Sequence, residues 1–305
     1  MTPRAAEATA PCRVDLAGGV AGAPTVTVAI DRRPWCRVET AGEGVVLESR
    51  DALRKASGSS LGELAGPGPL GPVARILRAV GVETGVHVVT QSRVPQGSGL
   101  GESAALGAAV AGAAARWLGR EVGPDAIARL VFEAQPPGEV DAIREAHTAV
   151  LGGVLALQPE EGGLRAERLA VDPARVEESL LLVEGARPAA EGRADPRVVR
   201  DVAARVRTAL LAGRFEDVVS LWAEEWDSRR APGGPPAETE RVAGIVRAAG
   251  GAARPCGAGE GALLAVWAPP GARGPGRREA VLQAAKAAGL RLFPARADLR
   301  GLEVE

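Results

Sequence analysis

The chain has 305 residues, 46% hydrophobic and 25% charged, enough for one large or two moderate globular domains and against disorder in its bulk. Its 37 lysines and arginines balance 38 aspartates and glutamates to a net charge of -1, so no basic field marks a nucleic-acid binder and no acidic tail a basic partner. Cys12, Cys36 and Cys256 lack CxxC spacing and have only His87 and His147 as further soft ligands, which argues against a zinc site or disulfide framework and for a reducing compartment.

The N-terminal MTPRAAEATAPC has no apolar core of the signal-peptide kind. The longest run of small apolar residues, Ala104 to Ala115, falls short of the roughly 18 residues a membrane span needs, so a cytoplasmic location is expected. Cys12 to Gly18 (CRVDLAG) and Thr25 to Asp31 (TVTVAID) are β-branched segments bounded by Gly and Pro and predict strands, with WCRVET and GVVLES extending the same early sheet. Leu70 to Gly81 (LGPVARILRAVG) has apolar residues at helical spacing and ends on glycine, and GVHVVTQ then alternates as a strand.

A glycine-rich loop, Pro95 to Gly101, opens a predicted helix of alanine and glycine, SAALGAAVAGAAARWLG, whose small side chains require close packing. PDAIARLVFEAQ places Pro124 and Asp125 in a first helical turn before PPGEV interrupts it. GGVLALQ reads as a strand from Gly152, and the charge-rich Pro159 to Pro173 as a weakly structured boundary. Beyond it come a strand (SLLLVEG), two amphipathic helices (DPRVVRDVAARVRTALLAG and FEDVVSLWAEEWDSRR) and a further helix, AETERVAGIVRAAGG. ARPCGAGEGALLAVWA is a glycine turn leading into a strand, followed by helix GRREAVLQAAKAAG and a last strand, LRLFPA. Strands mixed with paired helices in both halves predict an α+β protein of two domains, 1–158 and 174–305.

The Pro95 to Ser103 loop carries the strongest local signal. Gly97, Gly99 and Gly101 permit backbone conformations closed to other residues and bring amide N–H groups close to a ligand, while a helix N-terminus favours an anion by about 0.3–1 kcal/mol. The Ser103 hydroxyl can cap the helix or hold Mg²⁺. No Lys-Ser or Lys-Thr follows the last glycine, so the spacing is not that of a Walker loop. By itself the loop reads equally as a phosphate cradle and as a tight turn with a capping serine.

Two further segments weigh on that choice: APCRVDLAGG places an arginine on a strand ending in paired glycines, and GAGEG is a second glycine loop. In this order the three segments resemble the signature segments of the GHMP kinases, the family of galactokinase, homoserine kinase, mevalonate kinase and phosphomevalonate kinase. The resemblance covers nearly the whole chain and is nearest to the heptose-phosphate kinase and fucokinase branch, with LWAEEWDSRR as a fourth matching segment. It implies an N-terminal nucleotide-binding domain with a left-handed βαβ crossover and a C-terminal ferredoxin-like domain, with ATP and a small-molecule acceptor meeting between them.

Residue by residue, the resemblance implies that Arg13 lies near the transferred phosphate, where a fixed positive charge suits a phosphoryl transition state. Pro95, Gly97, Ser98, Gly99, Leu100 and Gly101 match the loop around the ATP phosphates, Ser103 the serine facing Mg²⁺, and Gly257, Ala258 and Gly259 the C-terminal loop. The family's catalytic aspartate precedes a Gly-Gly pair by seven residues, and that count from Gly152 lands on Glu145. Glutamate is still a carboxylate, but its extra methylene moves the charge by about 1 Å, a displacement that can cost on the order of 10²-fold in rate. Asp141, four residues earlier, is the substitute if the segment is helical; the plain alternative for Glu145 is a solvated helix charge beside Arg144.

Other departures are Gly22, in a shortened acceptor loop, and two carboxylates, Glu102 and Glu260, in the nucleotide loops, where they oppose a triphosphate unless they face solvent or a cation. His87 and His147 read as structural, and Trp222 and Trp226, four apart on one helix, as core or a subunit contact. The expectation is an ATP-dependent kinase acting on a sugar or sugar-phosphate hydroxyl with Mg²⁺, its partners neither nucleic acid nor membrane. The alternatives are a catalytically inactive relative kept for metabolite or partner binding, and an unrelated α+β protein whose glycine loops are turns.

Overall fold

The computed structural model describes residues 5–20, 22–95, 97–135, 142–161, 163–185, 195–229, 237–257, 262–271 and 276–305. In chain order the first half contains β1 (Ala5–Thr9), β2 (Cys12–Ala17), β3 (Thr25–Ile30), β4 (Trp35–Thr40), β5 (Val45–Ser49) and β6 (Arg54–Gly58). Then follow α1 (Leu61–Leu64), α2 (Gly71–Val80), β7 (Val86–Gln91), α3 (Glu102–Trp117), α4 (Pro124–Glu133), α5 (Ala142–Leu151), β8 (Val154–Glu160) and β9 (Gly163–Arg168). The second half contains α6 (Pro173–Ser179), β10 (Leu180–Glu184), α7 (Pro196–Leu211), α8 (Asp217–Arg229), α9 (Ala237–Ala248), β11 (Ala252–Pro255), β12 (Leu263–Trp267), α10 (Arg277–Ala287), β13 (Leu292–Pro294) and β14 (Glu303–Val304). The expected α+β class holds, and no helix among the described residues is long and apolar enough to cross a membrane.

The strands form three sheets. A six-stranded sheet runs β14-β1-β4-β7-β5-β6, in which β5 and β7 are parallel and joined by a crossover through β6, α1 and α2. A second sheet, β2-β3-β8-β9, is antiparallel; β2 and β3 are buried on both faces, β3 through a β-branched and apolar run and β2 with the charged Arg13 and Asp15 among its apolar residues. The third, β11-β12-β10-β13, places the second, third, first and fourth of its strands side by side, all antiparallel. That is the split βαβ order of a ferredoxin-like unit, as the resemblance implied. Pro159 to Pro173, expected to be weakly structured, instead holds β9, a polar edge strand whose order comes from its pairing with β8.

Because α3 offers mainly Ala and Gly, it buries nearly its whole surface, with β1 and β4 beneath it and α2, α4 and α5 around it. Gly107 shows how close the packing is: a Cβ there would lie 2.9 Å from Val131 and 3.1 Å from Ile76. The second half is tied to the first through side chains as well as strands. The Trp222 indole on α8 donates to the Leu16 carbonyl at 2.6 Å, and Arg254 on β11 donates to the Gly18 carbonyl at 2.9 Å. Both tryptophans of α8 are core residues, Trp222 beside Trp267 and Trp226 donating to Glu240.

Candidate active site

Arg13 projects from β2 beneath the glycine loop and is buried. Its backbone N–H donates to the Leu100 carbonyl at 2.8 Å, and its Nη1 reaches the Gly99 carbonyl at 3.5 Å. The same Nη1 lies 3.0 Å from Asp15 Oδ2, while Nη2 pairs with Glu145 Oε1 on α5. Burial works against this charge, but Asp15 and then Glu145 outweigh it and hold the guanidinium above its ordinary pKa. Gly101 must be glycine for two reasons: its φ is +68°, and a Cβ there would lie 3.0 Å from Arg13 Cγ.

Gly97, Gly99 and Gly101 have φ values of 75°, 80° and 68°, alternating with Ser98 and Leu100. Left-handed glycines in alternation are the backbone pattern of anion-binding turns, and here the Ser98 N–H is taken by the Pro95 carbonyl at 3.1 Å, which leaves the glycine amides for a ligand. Buried Leu100 anchors the loop, and the buried Ser98 hydroxyl accepts from the Leu100 N–H at 3.4 Å; Pro95 lies exposed at its start. The loop delivers the chain to α3, whose N-cap is Gly101 and not Ser103. Ser103 is the second helical residue, exposed, with its hydroxyl outside the capping position. Glu102 is the first, and burial pushes its carboxyl above the usual range, opposed by a hydrogen bond from Ser92 and reinforced by Asp51.

The C-terminal glycine segment meets this loop. A Cβ on Gly257, where φ is +71°, would lie 3.2 Å from the Gly99 carbonyl oxygen, and the Ala262 N–H donates to the Gly97 carbonyl at 3.0 Å. Ala258, Gly259 and Glu260 lie outside the described residues, as do Gln96 and Asp141. Gly22, at φ +72°, is exposed with nothing within 4 Å of an added Cβ.

The plain alternative for Glu145 does not hold. Its side chain is 22% exposed and meets Arg13, whereas Arg144 turns elsewhere and donates to Thr25 Oγ1 at 2.6 Å and the Val20 carbonyl at 3.1 Å. A small pocket opens between Arg13, Asp15, Arg144, Glu145, Thr148 and Leu157. Of these, Asp15 escaped the sequence reading; the available signal was its position two residues from Arg13 on a strand, hence on the same face. His147 serves its own helix, its Nδ1 lying 2.7 Å from the Ile143 carbonyl, and His87 meets Glu39 at 3.0 Å on the first sheet. The amides at the start of α3 and the loop's alternating backbone suit phosphate oxygens, so the donor set fits a nucleotide's phosphates.

Residues 70–153, which span α2, α3 and the approach to β8, match the family model described as GHMP kinases N terminal domain. Over those residues the chain is similar to a GHMP kinase N-terminal domain. Its whole fold is that of GHMP kinases of known structure. A D-glycero-D-manno-heptose 1-phosphate kinase from Bacteroides thetaiotaomicron superposes with a TM-score of 0.78 at 18% identity, covering 98% of each chain. A galactokinase from Lactococcus lactis, solved with galactose, gives 0.75 at 16% identity over 100% of this chain and 95% of its own. The mevalonate kinase of Methanococcus jannaschii gives 0.72 at 16% identity over 96% and 98%. No curated protein sequence matches the chain. Within the GHMP kinase fold, the three glycine segments that lie far apart in sequence converge around Arg13.

Proposed function

We propose that the chain is a cytoplasmic ATP-dependent kinase that phosphorylates a hydroxyl of a sugar or sugar phosphate, residues 1–158 holding the nucleotide and 174–305 closing the site. The observation that carries this reading is the meeting of Arg13 and Glu145 directly beneath the glycine loop. MgATP supplies the γ-phosphoryl group, whose bond to the bridging oxygen is exchanged for one to the acceptor oxygen. The amides of Gly97, Gly99 and Gly101 orient the phosphates, with Pro95, Ser98 and Leu100 shaping the loop and Gly257 bounding it. Ser103 offers one hydroxyl to Mg²⁺, a cation that takes most of its ligands from phosphate and water. Arg13 offsets charge on the transferring group, and Glu145 orients the acceptor hydroxyl and receives its proton.

A second reading, a nucleotide or metabolite binder without turnover, draws on one observation: Asp15 and Glu145 together place two negative charges on the single charge of Arg13. The two separate in a thermal shift followed by a transfer assay. MgATP at about 100 times Kd should add roughly 2.7 kcal/mol of apparent stability, and no shift at millimolar MgATP rules out the kinase. With an acceptor found by screening sugars and sugar phosphates, Glu145→Gln should lower turnover by about 10²–10⁴-fold; unchanged turnover removes Glu145 from the chemistry.

A further inference from the structure

Asp15 has no assigned role in the kinase reading, yet it lies at the convergence of the three glycine segments. It is buried, its Oδ2 is 3.0 Å from Arg13 Nη1, and it lines the same pocket as Glu145. The register of β2 against β3 shifts between Asp15 and Ala17, a local irregularity of the kind that re-aims a side chain. Next to it, Gly19 has φ +78°, and a Cβ there would stand 2.9 Å from Asp15 Oδ2 and 3.5 Å from the Gly257 carbonyl oxygen. A side chain at Gly19 would therefore displace the carboxylate, so the turn after β2 is shaped to admit it.

Charge balance does not explain it. Glu145 alone neutralises Arg13, and a second buried carboxylate adds a desolvation cost and an excess negative charge close to a site that must receive phosphates. Geometry does explain it. An arginine held at one nitrogen can still rotate its planar fork, whereas one held at Nη1 by Asp15 and at Nη2 by Glu145 cannot. With both held, the edge carrying Nη1 faces the Gly99 carbonyl of the glycine loop.

We propose that Asp15 is a positioning residue for phosphoryl transfer, fixing the Arg13 guanidinium from one side while Glu145 fixes it from the other. This rests on the kinase reading. A positioning role acts on the transition state more than on bound nucleotide, so it predicts a split between kcat and affinity that a merely structural carboxylate does not produce.

The test is Asp15→Asn in the full chain, with Asp15→Ser in its place if the asparagine variant does not fold. Calorimetry with a magnesium complex of a non-hydrolysable ATP analogue gives nucleotide affinity; turnover is measured with the screened acceptor and with water as acceptor. Expected are a kcat lower by about 10²-fold and an analogue Kd within about threefold of wild type. In an Arg13→Gln background, the same change at Asp15 should lower kcat by less than about threefold, since the residue it positions is gone. Unchanged kcat in the single variant overturns the proposal, as does a full additional loss in the Arg13→Gln background, or a loss of affinity in step with a lowered melting temperature. A wild-type chain that fails to bind the analogue, or binds it and transfers nothing, overturns the kinase reading and this proposal with it.

Discussion

Glu102 opens α3 at the position where a negative charge is most favoured by the helix, yet burial raises its carboxyl pKa. A carboxyl whose pKa is higher folded than unfolded binds its proton more tightly in the native state, so ionising it costs stability. That cost is absent below the ordinary glutamate range, grows as pH rises through it, and is complete above the folded value. Glu102→Gln should therefore melt above wild type at about pH 8 and coincide with it at about pH 4; the opposite order in a pair of melting curves shows that the carboxylate is stabilising. Arg13 and Glu145 were legible only through the spacing of glycine motifs, because 132 residues separate them and no local propensity reports a contact of that kind. The burial of Asp15 is likewise a tertiary fact, since strand alternation gives a face but not what covers it.

Among the elements, α3 was the most legible and is the most tightly constrained. Its alanines and glycines announced close packing, and the contacts of Gly107 with Val131 and Ile76 supply it. Gly107→Val adds three carbons where one has no room and should cost about 1–3 kcal/mol in urea denaturation. Gly107→Ala should cost less than Gly107→Val, because up to about 1 kcal/mol of helix propensity offsets part of the contact with Val131. β2, β3, β4, β5, β7 and β10 were recognisable by β-branched or apolar runs. β1 (AAEAT), β6 (RKASG) and β9 (GLRAER) were not, being alanine-rich or charged. They are strands because a neighbour supplies the ladder, and β6 and β9 lie at sheet edges where charge is tolerated.

At the scale of the molecule, the two halves are joined by buried polar contacts to a single strand end. Trp222 and Arg254 hold the Leu16 and Gly18 carbonyls, and Glu225 pairs with Arg254 at 3.0 Å in the same buried region. Trp222→Phe keeps a ring beside Trp267 but leaves the Leu16 carbonyl without that donor, a loss of about 1–3 kcal/mol. The measurement is the urea midpoint at unchanged slope; an unchanged midpoint means that water or another donor takes the place of the indole.

The second half also returns strand to the first: Ala8 pairs with Val304 and Thr9 with Glu303, while Leu302 packs on α3 at Gly112. Closing a loop of nearly the whole chain costs only about 0.6 kcal/mol more than closing one of half that length, so the distance is no thermodynamic obstacle. It is a kinetic one, since contacts so remote in sequence form after the local ones that nucleate folding. β14 therefore acts as a latch: it contributes little to how fast the native state is reached and more to how long that state persists once formed.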